Sequence, residues 1–345
     1  NHRTAQLSDA RGHRCAAAYD TEAIDHDREE YREGGVSRLR GMFALALWDL
    51  RERRLLLARD RVGKKPLYYV HDGDRLLFGS ELKAVLCDPS VKRVVSAEAL
   101  DDYLTFGAVP APRTVYAGIQ QLPPAHYLVW EDGRVTTEEY WNPTYRAVPP
   151  RREAAWLEQF DAIFSEAVKL RMIADVPLGA FLSGGVDSSA VVAAMAAVSP
   201  RPVVTTTISF ADGAFNEAPH ARAVAQSLGT DHTELGVEAH AVDILPRLAW
   251  HLDEPFADSS AVPSYYVARA ARQRVTVALS GDGGDEVFAG YEWRYGLNML
   301  EARLRGMIPR PVRRALGPLS SVWPKGDRLP RPLRWKFFMR NMSLS

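Results

Sequence analysis

Two short stretches combine glycine, serine and aspartate densely enough to do chemistry: SGGVDSS at residues 183–189 and SGDGGDE at residues 280–286. A glycine-rich turn between a strand and a helix lets backbone N–H groups converge at the helix N-terminus, where an anion is favoured. The first stretch is neither the phosphate loop GxxxxGK(S/T), whose lysine is missing, nor a GxGxxG fingerprint. Asp187, Asp282, Asp285 and Glu286 carry the wrong charge to face a polyphosphate directly. Carboxylates there make sense when Mg²⁺ lies between them and the phosphates. Taken alone, either turn is also an ordinary helix cap, with Asp187, Ser188 or Ser189 holding the first-turn amides. Two such turns, each after a strand of one sheet, favour a shared site.

The elements that must position these turns follow from periodicity. Residues 154–172 carry Trp156, Phe160, Phe164, Val168 and Leu170 near helical spacing, which predicts an amphipathic helix. Next come a strand in VPLGAFL (176–182), a helix over 189–198, a strand in PVVTTTISF (202–210), helices over 217–228 and 261–272, and a strand in VTVAL (275–279). That alternation implies parallel strands with crossover helices, an open α/β sheet with its ligand crevice beyond the C-terminal strand ends. Residues 41–86 read differently. MFALALWDL, RLLLARD, PLYYVHD and RLLFGSE are short apolar runs separated by charged turns, as in a sheet-rich layer, and EDGRV (131–135) reads as a hairpin turn. The Pro/Arg-rich segment 141–152 is the expected linker between a first domain over 1–140 and a second over 153–345.

Composition removes other classes. Forty-three basic and forty-three acidic residues cancel, so no global field favours nucleic acid or an anionic membrane. The two cysteines, Cys15 and Cys87, lack ligand spacing and read as packing residues of a reducing compartment. The longest purely apolar run, 190–198, is too short to cross a bilayer, so a soluble cytoplasmic protein is expected. None of the nine histidines stands at metal-ligand spacing.

With RMIADVPLGAFLSGGVDSS (171–189), DEPFADSSAVPSYYVARAAR (253–272) and SGDGGDEVFAGY (280–291), the chain resembles the synthetase domain of glutamine-hydrolysing asparagine synthetases, SGGVDSS being similar to the PP-loop of ATP pyrophosphatases. YDTEAI (19–24), LRGMFALALWD (39–49), LLLARDRVGKKPLYY (55–69) and LLFGSELKAVL (76–86) resemble the glutaminase domain of the same enzymes. The resemblance implies an Ntn-hydrolase-type layered β domain followed by a PP-loop domain of the adenine nucleotide alpha hydrolase type. It implies ATP and Mg²⁺ as cofactors, with glutamine and aspartate or a related carboxylate as substrates, and it is compatible with a homodimer. Asp187 and Asp285 would share Mg²⁺. Ser183, Gly184, Gly185 and Ser188 would hold the phosphates, while Leu182, Ile208, Ser280 and Gly281 would border the adenosine. Asp282 would assist formation of the acyl-adenylate, although many members carry glutamate there. Asp20 would bind the glutamine amino group.

The chain starts at Asn1, without the terminal cysteine nucleophile of the family. The expectation is therefore a chain cut at both ends and inactive on glutamine as it stands. PKGDRLPRPLRWKFF (324–338), Ala125 and FADGAFNEAPHARAVAQ (210–226) resemble a subfamily associated with exopolysaccharide and exosortase gene clusters. A β-lactam-synthetase-like ligase and a non-catalytic nucleotide-binding protein remain the alternative functions.

Overall fold

In the computed structural model, which describes residues 24, 31–146, 148–210, 216–237, 241–309, 311, 312, 314, 315, 318 and 319, the run Leu55 to Ala58 is buried throughout. The run lies in β2 (Arg54–Arg59), an inner strand of an antiparallel sheet ordered β1-β2-β6-β7, with β1 at Ala44–Asp49, β6 at His126–Glu131 and β7 at Arg134–Glu139. Successive side chains of a strand point to opposite faces. Accordingly Leu56 and Ala58 pack with Val36, Leu39, Phe43 and Val129, whereas Leu55 and Leu57 pack with Leu67, Tyr69, Leu122 and Leu128. Both faces are covered, which is why the run is continuous rather than alternating.

The second sheet is ordered β4-β3-β5, with β3 at Tyr68–Asp72, β4 at Arg75–Gly79 and β5 at Gln120–Gln121. Tyr69 packs toward the first sheet, while Tyr68 faces Leu82, Val85, Val115 and Ile119 on the far side. The layered β architecture thus follows from adjacent tyrosines on one strand. The expected hairpin turn joins β6 and β7, with Glu131 opposite Arg134 and left-handed φ at Asp132 (48°) and Gly133 (73°), the pattern of a type I′ turn.

The chain divides into two compact units, Asn1–Trp156 with Glu238–Tyr266, and Leu157–Val237 with Val267–Ser345. The first unit also holds α1 (Leu82–Val85) and α2 (Ala97–Phe106). Helix α3 (Glu153–Arg171) forms where its periodicity predicts, but its apolar stripe is only partly covered. Val168 is buried, whereas Trp156 and Phe160 are each 40% exposed.

The second unit is built on a parallel sheet ordered β10-β9-β8-β11, with β8 at Leu178–Phe181, β9 at Val204–Phe210, β10 at Asp231–Val237 and β11 at Val277–Leu279. Helix α4 (Val186–Val198) connects β8 to β9, and α5 (Ala218–Leu228) connects β9 to β10. Val192 and Met195 of α4, Ala221 and Ala225 of α5, and Ala180, Leu182 and Val203 form its core with Val168. After β10 come α6 (Ala241–Leu252) and α7 (Ala261–Ala271), and β11 then returns to the opposite side of β8. The order reverses between β8 and β11, the switch point at which open α/β sheets leave a crevice.

Strand β10 and helix α6 are among the elements that exceed what the sequence predicts. Strand β10 (DHTELGV) has no apolar alternation because it is an edge strand, held by backbone pairing from Asp231 opposite Val204 to Val237 opposite Phe210. Helix α6 contains Pro246, a residue that argues against a helix interior.

Gly179→Ala is expected to destabilise the second unit by roughly 1–3 kcal/mol, because overpacking against fixed atoms is not relieved cheaply. An added Cβ would lie 2.6 Å from the Val204 carbonyl oxygen, a backbone atom inside the sheet. Urea unfolding should show a lower midpoint; an unchanged midpoint would contradict this spacing of β8 and β9.

Candidate functional site

Strand β8 is followed by Leu182, which is buried and donates its N–H to the Thr206 carbonyl at 3.0 Å. The chain then turns through Ser183, Gly184 and Gly185 into α4. Gly184 has φ of +82°, and a Cβ there would meet the Ala221 nitrogen at 2.5 Å, so this glycine answers both a left-handed backbone and the close approach of α5. The serines knit the turn. Ser183 and Ser188 join hydroxyls at 2.8 Å, the Ser188 hydroxyl accepts from the Ser183 amide at 3.3 Å, and the Gly185 amide donates to the Ser183 hydroxyl at 3.2 Å.

The alternative in which Asp187, Ser188 or Ser189 caps the helix is not what forms. The capping position is Gly185, and no side chain among the described residues caps there. The first-turn amides of Val186, Asp187 and Ser188 are orphan donors of a helix N-terminus.

The second turn follows β11. The Ser280 hydroxyl donates to Asp282 at 2.7 Å, Gly283 adopts φ of 95°, and the Gly284 amide donates to the Gly281 carbonyl at 3.2 Å. A short helix, α8 (Gly284–Phe288), carries Asp285 and Glu286 in its first turn. A hydrogen bond from Tyr291 at 2.7 Å holds the Glu286 carboxyl below the usual carboxylate range.

The two turns meet. A Cβ on Gly281 would lie 2.8 Å from the Ser188 nitrogen, and one on Gly284 would lie within van der Waals overlap of the Asp187 carboxylate. Leu182, Ser183, Gly184, Gly185, Asp187, Ser188, Ser280, Gly281, Asp282 and Asp285 therefore lie on the two turns at the switch point. Ile208 stands on β9, half-buried, beyond the β8 pairing that ends at Phe181 opposite Thr206. Asp20 and Cys15 lie outside the described residues.

Neither carboxylate at the junction is consumed by a protein partner among the described residues, and no group of three His, Cys, Asp or Glu residues there forms a closed metal cage. Two carboxylates suit a hard cation that keeps waters and takes further oxygens from a ligand, which is the habit of Mg²⁺.

Cys87 corrects an expectation, being exposed rather than packed, with its thiol donating to the Lys83 carbonyl at 3.4 Å. A buried polar chain behind the site was not anticipated. Thr205 joins Thr230 at 2.9 Å and His232 Nδ1 at 2.9 Å, and His232 Nε2 is buried with no partner among the described residues. The run TTT at 205–207, polar within a central strand, was its signal.

The family model described as asparagine synthase matches residues 159–344, and that of a glutamine amidotransferase domain matches residues 1–141. Asparagine synthetase (glutamine-hydrolyzing) 1 of Bacillus subtilis is 34% identical over 323 residues, covering 93% of this chain and 50% of its own length. Asparagine synthetase (glutamine-hydrolyzing) 3 of the same bacterium is 32% identical over 307 residues, covering 82% and 49%. Amidase chyE of Penicillium rubens is 30% identical over 277 residues, covering 74% and 41%. The chain spans about half the length of the curated relatives it matches.

His232 supplies a pH test of the buried chain. Burial lowers its pKa, with Glu234 opposing and Arg222 assisting. The unfolded histidine therefore binds a proton more readily than the folded one, and the contribution to stability is complete above about pH 6.5 and is lost as pH falls toward the lowered folded value. Urea midpoints should fall between about pH 7 and pH 5, and His232→Gln should flatten that dependence. An unchanged slope in the variant would show that His232 does not titrate on unfolding.

Proposed function

Because the chain belongs to the asparagine synthase family, we propose that it is an ATP-dependent amidotransferase that adenylates a carboxylate and transfers to it ammonia derived from glutamine. The observation that supports this most directly is the interlock of the two turns at the β8/β11 switch point, where Gly284 packs on Asp187 and Gly281 on Ser188. Orphan amides at the start of α4 offer donors to phosphate oxygens. Ser183 and Ser188 add hydroxyls, with Gly184 and Gly185 keeping the turn open to close approach. Leu182, Ile208, Ser280 and Gly281 border the adenosine. Asp187 and Asp285 would hold Mg²⁺, which would supply neutralisation of the pyrophosphate leaving group.

The acceptor's carboxylate oxygen attacks the α-phosphorus, the bond to the β-phosphate bridging oxygen breaks, and pyrophosphate departs with that electron pair. Ammonia then attacks the acyl carbon, AMP leaves as the C–O bond breaks, and the nitrogen releases its extra proton to solvent or a base. Asp282, oriented by Ser280, assists the first step. The ammonia would come from glutamine at a glutamine amidotransferase domain, the kind whose model matches residues 1–141, with Asp20 binding the glutamine amino group. The acceptor is the side chain of aspartate or a related carboxylate.

The balanced charge of the chain supports small-molecule substrates rather than nucleic acid. No helix among the described residues is long and apolar enough to cross a membrane.

Nucleotide binding should require Mg²⁺, because Asp187, Asp282 and Asp285 would otherwise repel the triphosphate. Asp187→Asn is expected to weaken Mg·ATP binding about tenfold or more, a change of about 1.4 kcal/mol. Isothermal titration with and without EDTA tests both points, and pyrophosphate release from ATP tests the reaction. Identical titrations in wild type and variant, or tight binding in EDTA, would remove the shared-metal assignment.

A further inference from the structure

Helix α8 is held at its two ends by unlike contacts. At its start Gly284 packs on the Asp187 carboxylate, which joins it to the first turn of α4. At its end Phe288 meets Phe160 of α3 edge to face, with ring centroids 5.5 Å apart and planes at 85°. Phe160 in turn stacks on Phe164 of the same helix at 5.2 Å and 21°. Phe164 packs against the core that holds Val168, Leu182 and Val192. All three rings belong to the second compact unit, and they make a ladder from its core to the last residue of α8.

Burial alone does not call for this ladder. Phe288 is 62% exposed, so little apolar area leaves water where α8 ends. What the pair supplies is direction. In an edge-to-face contact the positive rim of one ring meets the negative face of the other, so orientation is fixed as well as distance.

The place of Phe288 on α8 gives that orientation a consequence. Phe288 follows Asp285 by three positions, and residues so spaced are neighbours on a helix surface. Immediately after it, Ala289 has φ of 59°, a left-handed conformation that a non-glycine residue keeps only when its surroundings over-determine it. This reversal brings the Gly290 amide back to the Asp285 carbonyl at 3.0 Å. The bond from Tyr291 to Glu286 at 2.7 Å is local to the same turn. Local bonds shape the turn, whereas the contact with Phe160 ties it to an element far away in sequence.

We infer that Phe160 and Phe288 are positioning residues for Asp285: the ring ladder fixes the far end of α8 to α3 and so sets the place of the Asp285 carboxylate relative to Asp187. The inference rests on the proposed function, which calls for a cation shared by these two acids. Mg²⁺ demands near-ideal geometry with oxygens at about 2.1 Å, so a small displacement of α8 is felt there first. The groups assigned to the adenosine precede α8 in sequence and do not depend on the ladder.

The test is a double-mutant cycle in the full-length protein with Phe160→Ala, Phe288→Ala and both together, read by isothermal titration of Mg·ATP and of AMP. Each single substitution should weaken Mg·ATP binding about tenfold, the upper range for loss of one aromatic pair. The double variant should also lose about tenfold rather than about a hundredfold, because residues acting through one contact are not additive. AMP, which lacks the pyrophosphate oxygens and the bridging cation, should bind all three variants within about twofold of wild type. Phe288→Tyr keeps the ring and should match wild type for both ligands. Equal weakening for Mg·ATP and AMP marks a merely structural role and would overturn the inference, as would multiplied losses in the double variant or no loss in any.

Hydrogen exchange in the absence of nucleotide and metal supplies an independent measurement. Amides over 284–290 should exchange about tenfold faster in Phe160→Ala, a substitution on another helix, while those of β8 and β9 stay unchanged. Unaltered exchange over 284–290 would overturn the ladder whatever the titrations show. Should Phe160→Ala fail to fold, Phe160→Leu, which keeps an apolar side chain without a ring, is read by the same titrations and exchange. A wild type that binds no Mg·ATP would sink the proposed function and the placement of Asp285 for a cation together. A wild type that binds it, with variants that bind it equally well, would sink the ladder alone.

Discussion

The absence of a Cβ at Gly281 and Gly284 is the constraint on which the second unit's site depends. The turn after β11 lies against the first turn of α4 so closely that a methyl group at Gly281 would press on the Ser188 nitrogen, and one at Gly284 would displace the Asp187 carboxylate. That contact requires β11 beside β8, and the strand order β10-β9-β8-β11 provides it. Had β11 been added beyond β10, the second turn would stand several strand spacings away, at about 4.8 Å each, and its aspartates could not share a ligand with Asp187.

A carboxylate's partners separate structural acids from available ones. Asp60 is fully buried and accepts the amides of Phe43, Val62, Lys64 and Lys65, while its neighbour Arg59 donates to the carbonyls of Gly63, Lys65 and Leu122. That pair fixes the loop of DRVGKK and has no capacity left for a ligand. Asp187 and Asp285 have side chains that accept no such set among the described residues, and they stand where two loops and a helix N-terminus converge. Unspent acceptors in a crevice are the state expected of groups that take a cation with their substrate.

Much of this was legible in the sequence because the chemistry is local. SGGVDSS and SGDGGDE announce turns through residue type, and VPLGAFL and VTVAL announce buried strands through apolar runs, so the parallel sheet and its crevice followed from order alone. Strand β10 was not legible, since an edge strand owes its existence to backbone pairing with β9 rather than to its own pattern. Helix α6 hid behind Pro246, and tertiary context overrode local propensity. The exposure of Cys87 could not be read from composition, because cysteine is buried on average and a short helix end is decided by what packs on it. The contacts of Asp253 with Lys83 and of Glu254 with Val115 were not legible either, because the partners lie more than a hundred positions away in sequence.

Helix α8 shows how far the site relies on tertiary contact. It has five residues, too few to be stable by propensity, since nucleation is costly and each added residue returns little. Its position is set by the turns that bound it. Gly283 enters with φ of 95°, Ala289 leaves with φ of 59°, and the Gly290 amide returns to the Asp285 carbonyl at 3.0 Å. The Asp285 carboxylate folds over Gly290, into space that any side chain there would occupy. Glycines therefore surround both aspartates, Gly284 against Asp187 and Gly290 against Asp285, and each is required by the volume of a carboxylate rather than by its own backbone angle. In GDGGDEVFAG, Asp285 is thus flanked by Gly284, which packs on the Asp187 carboxylate, and by Gly290, which leaves room for its own.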